Sequence, residues 1–140
     1  MDQNITMTSR IIYLGDLRTE STHVQSGTTI QTDAPADNHG KGELFSPTDM
    51  VANSLGTCML TTMGIKANTM NIDLKGVEAE VTKVMVADPR RIGEIKVVLH
   101  FPKMEISEKD KTILEKTALT CPVARSLAPE LIQTVSFDWK

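Results

Sequence analysis

Between Met50 and Ile65 the chain runs sixteen residues without one charged side chain. That stretch constrains everything around it. Its start carries clear helix signals: Ser46 suits the N-cap, Pro47 suits the first helical position, and Asp49 sits where a capping-box carboxylate reaches back. A helix with no charged face is normally buried on most sides. The pattern therefore predicts a central core helix that begins at Pro47 and ends near Asn68. A membrane span is excluded, because the stretch is short and Asn53, Ser54, Thr57, Thr61 and Thr62 make it too polar.

The rest of the chain must supply layers for that helix. Arg10 to Leu14 reads as a strand closed by a Gly15-Asp16 turn signal, and Leu17 to Val24 and Thr28 to Thr32 continue a three-stranded meander. Asp33 to Gly42, which collects Pro35, Asp37, Asn38, Gly40 and Gly42, reads as a loop. Val77 to Val86 has strand composition, with an alternation that slips near Thr82-Lys83 as at a bulge. In Glu94 to Phe101, residues Ile95, Val97, Leu99 and Phe101 keep a period of two. Ser107 with Asp110 opens a further helix bearing Ile113, Leu114 and Ala118, and Cys121-Pro122 breaks it. A short helix over Val123 to Ala128 and a strand with Val135, Phe137 and Trp139 complete the chain. The order βββ-α-ββ-αα-β is α+β, with helices on antiparallel sheet. No repeat or linker divides it, so residues 1–140 are expected to form a single domain.

Fifteen basic against eighteen acidic residues, a net charge of −3 and no Lys/Arg run argue against nucleic-acid or anionic-membrane binding. The polar start Met1-Asp2-Gln3-Asn4 lacks the apolar core of a secretory signal, which gives a cytoplasmic expectation. Two cysteines in such a chain are expected to be reduced and catalytic, or inert, and not a permanent staple.

Cys58 falls mid-helix on the face of Val51, Leu55, Thr62 and Ile65, where a small core residue is the plain alternative. Cys121 precedes a helix-opening proline, so nearby N–H groups would lower its thiol pKa. On local grounds Cys121 is the stronger nucleophile. His23, His39 and His100 lie in no metal-ligand spacing, so no metal is expected. A Cys-His hydrolase using His23 or His39 as base stays open, because such partners are neighbours in space and not in sequence.

Taken together, Phe45-Ser-Pro-Thr-Asp-Met-Val-Ala-Asn-Ser-Leu-Gly-Thr-Cys58 and Thr120-Cys-Pro-Val-Ala-Arg-Ser-Leu127 resemble the OsmC/Ohr family. The stretches His23-Val-Gln-Ser-Gly and Thr32-Asp-Ala-Pro-Ala-Asp-Asn-His-Gly-Lys-Gly are similar to its OsmC-like branch, and the likeness spans essentially the whole chain. The resemblance implies an OsmC-like fold, an intertwined homodimer and thiol peroxidase chemistry on organic hydroperoxides. In that chemistry Cys58 attacks the peroxide and Cys121 resolves the sulfenic acid as a disulfide. An external dithiol, carried by a lipoylated protein in the family, then restores both thiols, and no bound cofactor is needed.

The family also implies an activating arginine from the N-terminal sheet, held by a glutamate just after the helix-opening proline. Arg18 matches the arginine, with Arg125, Arg90 and Arg91 as rivals. The glutamate position holds Thr48, and the acid comes one place on, at Asp49. One residue along a helix is a rotation of about 100°. Either the helix start adjusts so that Asp49 reaches Arg18, or another group holds the arginine. A cation is needed on physical grounds: burial pushes the Cys58 thiol up, and a compensating two-unit shift requires about 2.7 kcal/mol. Leu55, Met59 and Met63 are candidates for an apolar pocket taking an alkyl chain, with core packing as their plain role. The competing function is a non-catalytic module of the same fold that binds a small apolar ligand or senses redox state.

Overall fold

The computed structural model describes residues 6–140, and these divide into two compact units, one reaching to Met50 and one over Val51–Lys140. The N-terminal unit is an antiparallel meander of β1 (Ser9–Gly15), β2 (Arg18–His23) and β3 (Thr29–Asp33) in that order. Gly15 pairs with Arg18 across a two-residue loop, and its central residues Asp16 and Leu17 both have positive φ, 54° and 65°. That is the hand of a type I′ turn, which matches the twist of the strands it joins. The β2–β3 register sets Arg18 directly opposite Asp33. Beyond β3 the loop folds on itself, with Gly40 N–H bonding the Pro35 carbonyl and Gly42 N–H bonding that of Ala34. A side chain at Gly40 would drive into the Ala34 carbonyl, so only glycine fits there.

Helix α1 (Pro47–Thr69) starts as its capping signals require. Asp49 N–H donates to Ser46 Oγ and Ser46 N–H donates to the Asp49 carboxylate, both at 3.0 Å. The helix is less enclosed than expected. Ala52, Leu55, Gly56, Met59, Met63 and Ala67 form one buried stripe, while Val51, Asn53, Thr57, Thr61 and Ile65 are exposed. Its lack of charge thus leaves an uncharged surface in the single chain, where a helix buried on most sides was expected.

In the C-terminal unit β4 (Glu78–Val86), β5 (Arg91–Phe101) and β6 (Ile132–Trp139) form a sheet with β5 in the centre. Ile95, Val97, Leu99 and Phe101 alternate into a core shared with the α1 stripe and with Leu114 and Ala118 of α2 (Glu108–Leu119). Fully burying each of the larger side chains contributes about 1.5–3 kcal/mol. The α+β class holds, with one correction to the expected antiparallel sheet: β5 and β6 are parallel. The intervening α2 and α3 (Pro122–Ser126) return the chain to the end of the sheet where β5 began, and a strand entered from that end must run parallel. Helix α3 ends at Ser126, two residues short of its expected limit. The bulge also lies later than Thr82-Lys83. Val84 pairs with Glu94 and Met85 with Ile92, so Gly93 is the extra residue, and a Cβ there would strike Val86. Phe101 stacks on its register partner Trp139 with centroids 3.6 Å apart, and Trp139 Nε1–H donates to Glu115 at 2.7 Å.

Candidate functional site

The break between α2 and α3 brings the two cysteines together. Cys121 is the N-cap of α3, its Sγ accepting the Ala124 N–H at 3.5 Å, and it is fully buried. Cys58, on the middle turns of α1, is half-buried and close enough to Cys121 for each thiol to affect the other's ionisation. Both thiols are free. Burial pushes the Cys58 thiol up, but the Val123 N–H, the Cys121 thiol and the Thr62 hydroxyl all support its thiolate and leave it below the ordinary cysteine value. Thr62 Oγ1 sits 3.8 Å from Cys58 Sγ. For Cys121 the balance goes the other way: burial raises it, the Ala124 and Val123 N–H groups lower it, and the neighbouring Cys58 raises it again. Of the two sulfurs, Cys58 is the one that ionises first. That reverses the local reading of the chain, in which Cys121 had the advantage.

Arg18 lies in the N-terminal unit, and its partners there are carboxylates that the sequence reading did not single out. Its Nε and Nη2 donate to the two oxygens of Asp33 at 2.7 and 2.9 Å, a bidentate fork, and Nη2 also donates to Glu43 at 3.0 Å. Asp33 is 2% exposed, Arg18 30% and Glu43 64%. The hydrogen bond to Asp33 raises the Arg18 pKa further above its ordinary value, and the same bond holds the Asp33 carboxyl below the usual range, assisted by the Glu43 N–H and the charge of Lys41. The signal for Asp33 was present: a two-residue hairpin loop and the length of the next turn fix which β3 residue faces Arg18.

The remaining expected residues fall into plainer roles. Asp49 closes the capping box of α1. Leu55, Met59 and Met63 are core side chains with no exposed surface. Arg125 donates from Nε to the Thr120 carbonyl at 2.9 Å, and Arg91 bonds the carbonyls of Ala87 and Pro89 in an exposed turn. His23 pairs with Ser26 at 2.6 Å, and His100 stands between Glu80 and Asp138 on the outer face of the C-terminal sheet. Among the described residues no group of three or more His, Cys, Asp or Glu side chains is arranged to hold a metal ion, and no helix is long and apolar enough to cross a membrane.

Two adjoining free thiols of unequal acidity on an α+β scaffold define a dithiol protein. The chain belongs to the OsmC family: the family model described as OsmC-like protein matches residues 40–135. A solved structure from Psychrobacter arcticus 273-4, described provisionally as an osmotic stress induced and detoxification response protein, is 52% identical. It covers 98% of this chain and 99% of its own, with a TM-score of 0.91. An OsmC like protein from Mycoplasma pneumoniae shares the fold at 17% identity (98% and 99% covered, TM-score 0.79). So does an organic hydroperoxide resistance protein OsmC from Legionella pneumophila at 15% identity (96% and 99% covered, TM-score 0.74). No curated protein matches the chain.

Proposed function

We propose that this chain is a cysteine-based thiol peroxidase that reduces organic hydroperoxides in the cytoplasm as part of an oxidative-stress defence. The observation that carries the reading is the Cys58–Cys121 pair, with its thiolate favoured at Cys58 and disfavoured at Cys121. Cys58 thiolate attacks the outer peroxide oxygen. The O–O bond breaks, an alkoxide leaves and takes a proton to become alcohol, and Cys58 becomes sulfenic acid. The Cys121 thiol then attacks that sulfur, forming the disulfide and releasing water. An external dithiol, by family analogy a lipoylated protein, reduces the disulfide and is itself oxidised. Arg18, from the same chain or from a partner copy, is the cation proposed to stabilise the thiolate.

A homodimer acting as one functional domain per chain belongs to the same reading. Ile11, Ile12, Tyr13 and Leu14 are exposed on β1 and Val51 and Ile65 on α1, apolar side chains that this reading has a second copy cover. The competing reading, a non-catalytic binder of small apolar ligands, draws on a cavity of about 530 Å³ on the N-terminal sheet, lined by Ile11, Ile30, Pro47 and Met50 among others. Mass spectrometry after one equivalent of cumene hydroperoxide separates the two. Formation of the Cys58–Cys121 disulfide, lost in Cys58→Ser and replaced by a trapped Cys58 sulfenic acid in Cys121→Ser, supports the peroxidase. Unmodified thiols support the binder.

A further inference from the structure

We propose that Asp33 is the positioning residue for Arg18, doing from strand β3 what a helix glutamate does elsewhere in the family, with Glu43 as a secondary, releasable partner. The proposal rests on the peroxidase reading above. Position 48 is a threonine, so the helix offers no carboxylate at the family's place. The β2–β3 register supplies one instead, because Asp33 faces Arg18 directly across the ladder and grips it by both oxygens.

The two carboxylates on Arg18 are not equivalent. Asp33 is buried, its own N–H is bonded to the Phe45 carbonyl at 3.2 Å, and its carboxylate accepts the Glu43 N–H besides the guanidinium fork. Glu43 is largely in water and makes a single contact through Nη2. A buried bidentate pair orients a planar guanidinium, whereas an exposed single contact is weakly held. The contacts to Asp33 and Glu43 use Nε and Nη2. Among the described residues no hydrogen bond engages Nη1, whose two N–H groups suit another acceptor such as a thiolate or a peroxide oxygen. Orientation thus comes from Asp33, and the charge that acts comes from Arg18.

The test uses the full-length protein, with cumene hydroperoxide as probe and two readouts: the rate of Cys58 oxidation and its thiolate titration. Asp33→Asn should slow oxidation about tenfold or more and move the titration upward, while Glu43→Gln should change the rate by less than about threefold. Adding Asp33→Asn to Arg18→Ala should bring no further loss, and Asp33→Glu should recover part of the rate. Arg18→Lys covers the case in which Asp33→Asn folds poorly: lysine keeps the charge without the fork and should lose nearly as much as alanine. Should Arg18→Ala move both readouts while Asp33→Asn and Arg18→Lys leave them in place, Asp33 does not position Arg18 and the peroxidase reading survives. Unchanged readouts in Arg18→Ala, with Cys58→Ser still inactive, overturn the proposal by removing the role it assigns to Arg18. If Cys58→Ser consumes peroxide like the parent, the peroxidase reading itself has failed and this proposal falls with it.

Discussion

Replacing Cys121 by alanine should make Cys58 harder to ionise, even though it removes a neighbouring sulfur that could itself become charged. In the folded protein Cys121 is the fully buried member of the pair, its thiol pushed up, and its thiol hydrogen supports the Cys58 thiolate beside the Val123 N–H and the Thr62 hydroxyl. A hydrogen bond to a charged group contributes about 1.5–3 kcal/mol. A thiol is a weak donor, so the lower end of that range applies, and the Cys58 titration should rise by about one unit. Thr62→Val should move it less, because the Thr62 contact is long at 3.8 Å. Cys121→Ser is the control. Its hydroxyl is a stronger donor in the same place and should keep Cys58 close to the parent.

Thiolate absorbance against pH measures all three variants, and the pH dependence of the first oxidation by hydroperoxide checks them independently. Rate should climb as Cys58 ionises and level off above its pKa, with the whole curve displaced upward by about one unit in Cys121→Ala and little displaced in Cys121→Ser. An unchanged or downward-shifted titration in Cys121→Ala would refute the donor role. The Cys58 thiolate would then owe its stability to the Val123 N–H and the Thr62 hydroxyl.

Three further outcomes follow from the packing and the caps. Ser46→Ala should lower stability by about 1 kcal/mol in urea unfolding, and Ser46→Ala combined with Asp49→Ala should cost less than the sum, because the two hydrogen bonds form one box. His100 is raised above its ordinary value by Asp138, with Glu80 adding to the effect against some loss of hydration. Its folded pKa exceeds the unfolded value of about 6.5, so its contribution is fully present below that pH and is lost as pH rises through the folded pKa. Melting of the parent and His100→Gln should therefore differ most in acid and converge in alkali. Leu114→Ala removes a fully buried side chain and should cost about 2–5 kcal/mol by denaturant unfolding.

What could be read from the chain was what neighbours in sequence decide. The Ser46/Asp49 box and the helix break at Cys121-Pro122 are properties of a few consecutive residues and stand where their residue types put them, while the turn expected at Gly15-Asp16 runs one residue further and takes in Leu17. The parallel entry of β6 depends on where the α2–α3 crossover delivers the chain, which no single segment records. The exposed side of α1 belongs to the same class. Absence of charge signals that a surface avoids water, without saying whether its own chain covers it. Asp33 looked like the first residue of a loop because its partner is fifteen residues away in sequence and becomes adjacent only through strand register.

The cysteine pair shows why a local pKa argument misled. Helix α3 is only five residues long, and its first N–H groups serve both sulfurs: Val123 N–H reaches Cys58, and Ala124 N–H reaches Cys121. The same backbone feature that made Cys121 look acidic in sequence is therefore shared, and cannot by itself separate the two. Burial and the interaction between the two thiols separate them. Burial is the largest influence on each thiol, but Cys121 has no exposed surface, whereas Cys58 keeps contact with water from the middle of α1. Once Cys58 takes the charge, it also becomes the negative neighbour that holds the Cys121 proton in place. Attack and resolution need a thiolate and a retained thiol side by side. For the proposed reaction, the shared helix start, the Thr62 hydroxyl, the interaction between the two thiols and their unequal burial act together to set that difference.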